Sequence, residues 1–272
     1  MTDDTRRGRL EPCQFLDAVN DLARDAGRRI LEIYHTDFDV EQKDDRSPLT
    51  AADMAAHNAI VAGLQVLDPA IPTLSEESAG VPFAERSQWD CYWLIDPLDG
   101  TREFVKRNGE FTVNIALIRN GEPVLGVVHV PVSGVSYYGC RGQGAFRQTA
   151  GAPPEPIRVR EHPADPLMVA GSRSHAGDSL KRFLGNMGEY EIISMGSALK
   201  LCLVAEGKAD IYPRLGPTSE WDTAAAQCVV EEAGGRVTDT EMNTLRYNTK
   251  DSLLNPFFLV FGDKTRDWSK YL

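Results

Sequence analysis

Two aspartates, Asp96 and Asp99, stand three residues apart where a hydrophobic run breaks, in W-L-I-D-P-L-D-G-T from Trp93 to Thr101. Proline fixes φ and glycine permits tight backbone paths, so both carboxylates are expected on one rigid bend, converging. Converging carboxylates with no basic residue among them suit a hard divalent cation such as Mg²⁺, which prefers oxygen ligands. Asp-Pro and Asp-Gly are also ordinary turn signals. Two further acidic sites bear on the choice. Glu76 and Glu77 follow an apolar stretch in L-S-E-E-S, and Asp222 opens an expected helix in E-W-D-T-A-A-A. Paired glutamates commonly stay solvated, and an aspartate at a helix start is commonly a cap. Three acidic groups that each terminate an apolar element are harder to dismiss, because open α/β sheets place ligand sites there. Together they could hold two or three Mg²⁺ ions, and metal pairs about 3.5 to 4 Å apart clamp the attacking and leaving oxygens of phosphoryl transfer. Gly100 and Thr101 add backbone N–H groups and a hydroxyl, and a helix starting there would favour a phosphate. Asp53 could lie across the site and bond Thr101, the pair orienting a water; its bland reading is a capping-box residue.

These residues need elements to position them. Apolar positions from Phe15 to Ile33 recur at helical spacing behind Pro12, and a second helix is expected from about Ala51 to Leu67, with Thr50 and Asp53 near a capping box. Short strands at Ile71 to Leu74 and Tyr92 to Ile95 end in the acidic groups. A meander follows through Thr112 to Ile118, the Asn120-Gly121 turn, Pro123 to Val130 and Gly134 to Gly139. The proline-rich stretch from Gly151 to Pro156 is the boundary candidate, giving an α+β half over 1–150 and an α/β half over 151–272. In the second half, strands (167–170, 190–194, 209–212, 236–238, 257–261) alternate with helices (179–187, 197–206, 222–233), Ser197 capping one helix and Asp222 starting another. Gly234-Gly235 stops the last.

At 272 residues and 42% apolar composition the chain has ample core, and its longest strongly apolar stretches fall short of a bilayer span. The N-terminal residues lack the apolar segment of a secretory signal, so a cytoplasmic protein is expected. Five cysteines (Cys13, Cys91, Cys140, Cys202, Cys228) show neither zinc spacing nor a disulfide framework, which fits reduced thiols. A net charge of −11 argues against nucleic-acid polymers as partners. A small phosphorylated substrate remains compatible, given local neutralisation by metal or by Arg and Lys.

The three acidic motifs, in this order and separation, resemble the magnesium-dependent, lithium-sensitive phosphatases of the inositol monophosphatase family, over nearly the whole chain. The resemblance implies a layered αβαβα sugar-phosphatase fold. It implies Glu76, Asp96, the Leu98 carbonyl, Asp99 and Asp222 as metal donors, with Asp96 bridging two ions. Glu77 would orient water, Asp53 with Thr101 would position the nucleophilic water, and Leu98 to Thr101 would contact the departing phosphate. A narrower likeness runs from Gly196 through Asp222 and in V-A-G-S-R-S-H, to the family's 3'(2'),5'-bisphosphate nucleotidases. It implies hydrolysis of the 3'-phosphate of adenosine 3',5'-bisphosphate to AMP, and of 3'-phosphoadenylyl sulfate to adenylyl sulfate, clearing a by-product of sulfate assimilation. Gly196, Ser197, Lys200 and Arg214, with Ser172 and His175, are then the nucleotide-side candidates, though Lys200 and Arg214 also read as solvated or stem-packed. Ala198 and the Ser219-Glu220 pair depart from the pattern. Inositol-1-phosphate hydrolysis and a non-catalytic nucleotide sensor are the rival readings. The resemblance leaves peripheral attachment to the inner face of the membrane open.

Overall fold

The computed structural model describes residues 11–36, 48–171 and 178–272. Helix α1 (Leu16–Tyr34), entered through a 3-10 turn at Pro12–Phe15, buries Val19, Ala23, Ala26 and Ile30 along one stripe, as its spacing requires. Helix α2 (Pro48–Leu67) begins before the expected Ala51, which puts Thr50 and Asp53 within its first turns. Strand β1 (Thr73–Ser75), helix α3 (Phe83–Arg86), strand β2 (Cys91–Asp99) and helix α4 (Thr101–Val105) follow. Strands β3 (Thr112–Arg119), β4 (Glu122–Val130), β5 (Val135–Cys140), β6 (Gly144–Thr149) and β7 (Glu155–Ile157) complete a sheet ordered β1 to β7. Only β1 and β2 pair in parallel; the rest is an antiparallel meander. β6 and β7 were not anticipated from sequence, and they carry the first sheet through the proline-rich stretch, so the seam between sheets falls after Ile157.

The second sheet is built from β8 (Leu167–Gly171), β9 (Tyr190–Ser194), β10 (Ile211–Arg214), β11 (Arg236–Asp239) and β12 (Phe258–Phe261), in the order β11-β12-β10-β8-β9. Its helices are α5 (Asp178–Met187), α6 (Leu199–Ala205) and α7 (Ala224–Glu232). α6 starts after Ala198 with no side-chain cap, so Ser197 does not cap it. Asp222 also differs from expectation: it ends a separate 3-10 turn, Glu220–Asp222, and α7 begins two residues later.

Three apolar clusters define the layers. α1 and α2 cover one face of the first sheet with Trp93, Ile95, Ile115 and Val127. Its other face meets α6 and α7, whose Ala225, Val229 and Leu203 share a cluster with Tyr92, Leu94 and Val128 and with Val260 of the second sheet. α5 closes the far side over Val169, Leu259 and Phe261. The order is helices, sheet, helices, sheet, helix, the expected αβαβα arrangement. α7 lies so close to the first sheet that a Cβ at Gly126 would fall on the Ala225 carbonyl, and glycine is what admits that approach.

The thiols differ from expectation. Cys13 and Cys140 form a disulfide across 127 residues, tying the entry to α1 onto the end of β5, whereas Cys202 and Cys228 are buried thiols and Cys91 is a partly buried one. The pairing was invisible in sequence because nothing local brings the two cysteines together. Among the described residues no helix is long and apolar enough to cross a membrane.

Candidate active site

Every major contributor sits at an element end. β2 runs antiparallel to β3 with Asp96 opposite Asn114 and Asp99 opposite Thr112, and the register shifts between the two aspartates. That irregularity, around Pro97, turns both carboxylates toward one point. Gly100 then takes a left-handed φ of 97° and α4 starts at Thr101, as the sequence led one to expect. Asp222 arrives from the far sheet, and carboxylate oxygens of Asp96, Asp99 and Asp222 lie within 4.8 Å of one another.

Each is held differently. Asp96 is buried, and its Oδ1 accepts the Leu98 N–H at 3.1 Å. Asp99 Oδ2 accepts the Ala198 N–H at 2.6 Å, Asn114 Nδ2 at 3.3 Å and the Thr112 hydroxyl at 3.4 Å. Asp222 Oδ2 accepts the Ser219 N–H at 2.9 Å within a capping box. Burial raises the carboxyl of Asp96 well above the ordinary value, and the charges of Asp99, Glu76, Asp222 and Asp53 add to it. Burial likewise raises Asp99, against the pull of Lys200 and the Ala198 N–H. Asp222 is pushed up to about 7 by burial and by Asp99. Like charges this close cannot all ionise alone, so the cluster is built for protons or for cations.

The other predicted residues fall around this centre. Asp53 is buried on α2, and Glu76, exposed after β1, acts electrostatically on both Asp96 and Asp222. Glu77 is exposed, and its charge opposes the burial that lowers His57. A cavity of about 180 Å³ adjoins Asp99, Gly100 and Asp222 and is lined by Ser197, Lys200 and Arg214 among others. Gly196 donates its N–H to Glu110 Oε2 at 2.9 Å. Ser197 is in the left-handed region at φ 45°, close against Gly100. Lys200 is buried, donating to the carbonyls of Ser197 (2.7 Å) and Met195 (3.3 Å) with its ammonium 5.5 Å from the Tyr212 ring centroid. Burial lowers its pKa to about 8. Arg214 Nη2 donates to the Pro217 carbonyl at 2.7 Å. Ser172 and His175 lie outside the described residues.

Sequence reasoning missed Asn114 and Thr112. Their signal was available: polar residues in T-V-N-I-A-L-I, a strand otherwise apolar and buried on both faces. It also missed Ala198, whose contribution is a main-chain N–H and carries no side-chain signature.

A model of the inositol monophosphatase family matches residues 11–262. The chain is 51% identical over 248 residues to the 3'(2'),5'-bisphosphate nucleotidase CysQ of Salmonella typhimurium, covering 90% of this chain and 99% of that protein. It is 50% identical to the CysQ of Escherichia coli K12, with the same coverage. Among solved structures it is similar to CysQ from Bacteroides thetaiotaomicron, a bacterial member of the inositol monophosphatase family, with a TM-score of 0.83 and 43% identity over 91% of this chain and 97% of that one. An inositol monophosphatase from Anabaena superposes with a TM-score of 0.75 at 28% identity, over 95% and 94% of the two chains.

Proposed function

This chain belongs to the inositol monophosphatase family, and we propose that it is a Mg²⁺-dependent nucleotidase removing the 3'-phosphate of adenosine 3',5'-bisphosphate, and of 3'-phosphoadenylyl sulfate. The observation that carries the reading is the convergence of Asp96, Asp99 and Asp222 beside a cavity walled by Lys200 and Arg214. The relatives sharing half of its residues are named for this activity.

The donor set fits a hard cation. It is all carboxylate, buried or half-buried, and each of the three is driven toward its neutral form when no cation is near. Glu76, Asp96, the Leu98 carbonyl, Asp99 and Asp222 would hold two or three Mg²⁺. When bound, Mg²⁺ supplies charge neutralisation at the phosphoryl oxygens and the leaving alkoxide. Asp53 and Thr101 orient the attacking water, with Glu77 helping from the rim. The N–H groups of Gly100 and Thr101 face the departing phosphate at the turn fixed by Gly100. Gly196 and Ser197 border the nucleotide, and Lys200 and Arg214 place positive charge toward its second phosphate. Two phosphates are worth two cationic zones, and the cage with the Lys200–Arg214 wall provides them.

Phosphate release measured side by side on adenosine 3',5'-bisphosphate, its sulfated analogue and inositol-1-phosphate, with and without Mg²⁺, tests this. Preference for the bisphosphate by a factor of about ten or more, with no release in chelator, is expected. Preference for inositol-1-phosphate would overturn the substrate, and tight nucleotide binding without release would favour a sensor.

A further inference from the structure

Arg86 takes no part in the site described above, yet it is a guanidinium only 1% exposed, placed at the end of α3 between β1 and β2. Burying a permanent charge is costly unless its donors are met. Here Nε is left without an acceptor, and both Nη groups are met by one segment, the loop between β11 and β12. Nη1 donates to Asn248 Oδ1, and Nη2 donates to the carbonyls of Lys250 (3.2 Å) and Asp251. The bonding is reciprocal, because Asn248 Nδ2 donates to the Arg86 carbonyl at 2.6 Å. Asn248 sits at a φ of 56°, a left-handed conformation that asparagine tolerates better than most residues.

Asn248 passes the contact on. Its N–H donates to Glu220 Oε2 at 2.9 Å, and Glu220 is also 1% exposed. The Glu220 N–H donates to the Leu253 carbonyl at 2.8 Å, while Asn255 Nδ2 donates to the Ser219 carbonyl at 2.7 Å and to Thr223 Oγ1 at 3.0 Å. The turn Glu220–Asp222 is therefore gripped on both sides by residues 248–255, and Arg86 ties that loop to α3, the helix that precedes β2. The turn is three residues long and has no helix of its own to anchor it before α7. Glu220 is the residue through which the grip passes.

We propose that Arg86, through Asn248 and Glu220, is a positioning residue for Asp222, setting the distance between the donor of the second sheet and Asp96 and Asp99 of the first. This rests on the reading of Asp222 as a metal donor. Partners that orient metal ligands are each worth about 10 to 100-fold in affinity, so loosening the latch should weaken ion binding by that factor.

The test is calorimetric titration of the whole chain with Mn²⁺, beside thermal melts. Arg86→Lys keeps the charge and loses the fork that reaches Asn248 and both carbonyls. Asn248→Gly keeps the left-handed backbone and the N–H to Glu220, so it decides the matter if Arg86→Lys does not fold. Both should weaken Mn²⁺ binding about tenfold or more, whereas Glu220→Gln, which retains the acceptor, should rescue most of the affinity lost in Glu220→Ala. Trp268→Phe, in the outer cluster on the far side of the second sheet, should lower the melting temperature and leave the isotherm alone. Folded Arg86→Lys or Asn248→Gly protein with the wild-type isotherm would overturn the latch alone. Wild-type protein that takes up no Mn²⁺ would overturn both the latch and the reading of the site beneath it.

Discussion

The two sheets deliver their carboxylates to the cage by different means. Asp96 and Asp99 end β2, an interior strand bonded on both edges, and three donors from β3 and the start of α6 converge on a single oxygen of Asp99. Asp222 ends a three-residue turn whose position depends on a loop 26 to 33 residues further along the chain. One wall is set by a strand, its neighbour and a single main-chain N–H from Ala198, the other by contacts reaching in from a distant loop. The first should therefore fail chemically when a donor is changed, and the second mechanically when a remote support is removed.

The largest effect is expected on the strand wall. Asp99→Asn keeps the size of the side chain and an oxygen for the Ala198 N–H, but removes the charge. Turnover should fall by more than about 100-fold, beyond the range of supporting residues, while circular dichroism stays unchanged. Near wild-type turnover would break the comparison at its root, because the donor held most firmly would then be dispensable.

The disulfide belongs to the first sheet alone. Closing a loop of more than 100 residues is worth about 4 to 5 kcal/mol in the chain-entropy account, so reduction of Cys13–Cys140 should lower the melting temperature markedly. The Mn²⁺ isotherm should not move, since the disulfide joins the entry to α1 to the end of β5, and neither element supplies a carboxylate to the cage. A reduced protein that binds ions worse would show that the strand wall depends on support beyond β3 and the Ala198 N–H. A smaller change is expected from Asn114→Ala, which removes one of three donors on Asp99 Oδ2 and leaves the Ala198 N–H. Ion affinity should drop about tenfold, the low end for such partners.

The same contrast explains what the sequence disclosed. Asp96, Pro97, Asp99 and Gly100 encode their own bend, so the convergence of the first two carboxylates and the start of α4 at Thr101 were readable from nine consecutive letters. Helical and strand periodicity gave most of the individual elements, whereas their αβαβα stacking came only from the resemblance to the family, because the first sheet is buried on both faces and its strands carry little alternation. The sequence singles out Asp222, which the fold brings beside Asp96 and Asp99, but places it at the start of α7 rather than in a 3-10 turn, since the contacts that hold the turn come from Asn248 and Asn255. Strands β6 and β7 escaped because G-A-F-R-Q-T and E-P-I carry little alternation and lie at the sheet edge, where burial is shallow. The pairing of Cys13 with Cys140 escaped for the reason that hides any contact between distant segments.

The final prediction sets the halves against each other by pH, and amounts to a few degrees. Asp222 has a folded value of about 7 against an ordinary 3.8, and Asp96 is shifted the same way. A carboxyl raised on folding holds a proton that the unfolded chain gives up. Its stabilising contribution is complete below the unfolded value and is lost as pH climbs through the folded one. Metal-free protein should therefore melt at falling temperatures from about pH 4 to pH 7 on account of the cage. His129, bonded to Ser136 in the first sheet, runs the opposite way: burial depresses it to about 4 from 6.5, so its contribution is present above 6.5 and lost as pH falls through 4. Ions compete with protons for the same oxygens, so Mg²⁺ should raise the melting temperature most above pH 7 and least near pH 5. At 100 times its dissociation constant the gain is about 2.7 kcal/mol. Calorimetric melts of wild type and Asp222→Asn between pH 4 and 8 separate the terms. The variant should lose much of the fall between pH 4 and 7 and of the Mg²⁺ response while keeping the opposing rise that His129 sets between pH 4 and 6.5. An unchanged fall between pH 4 and 7 in Asp222→Asn would mean that the far wall never shared its charge with the near one.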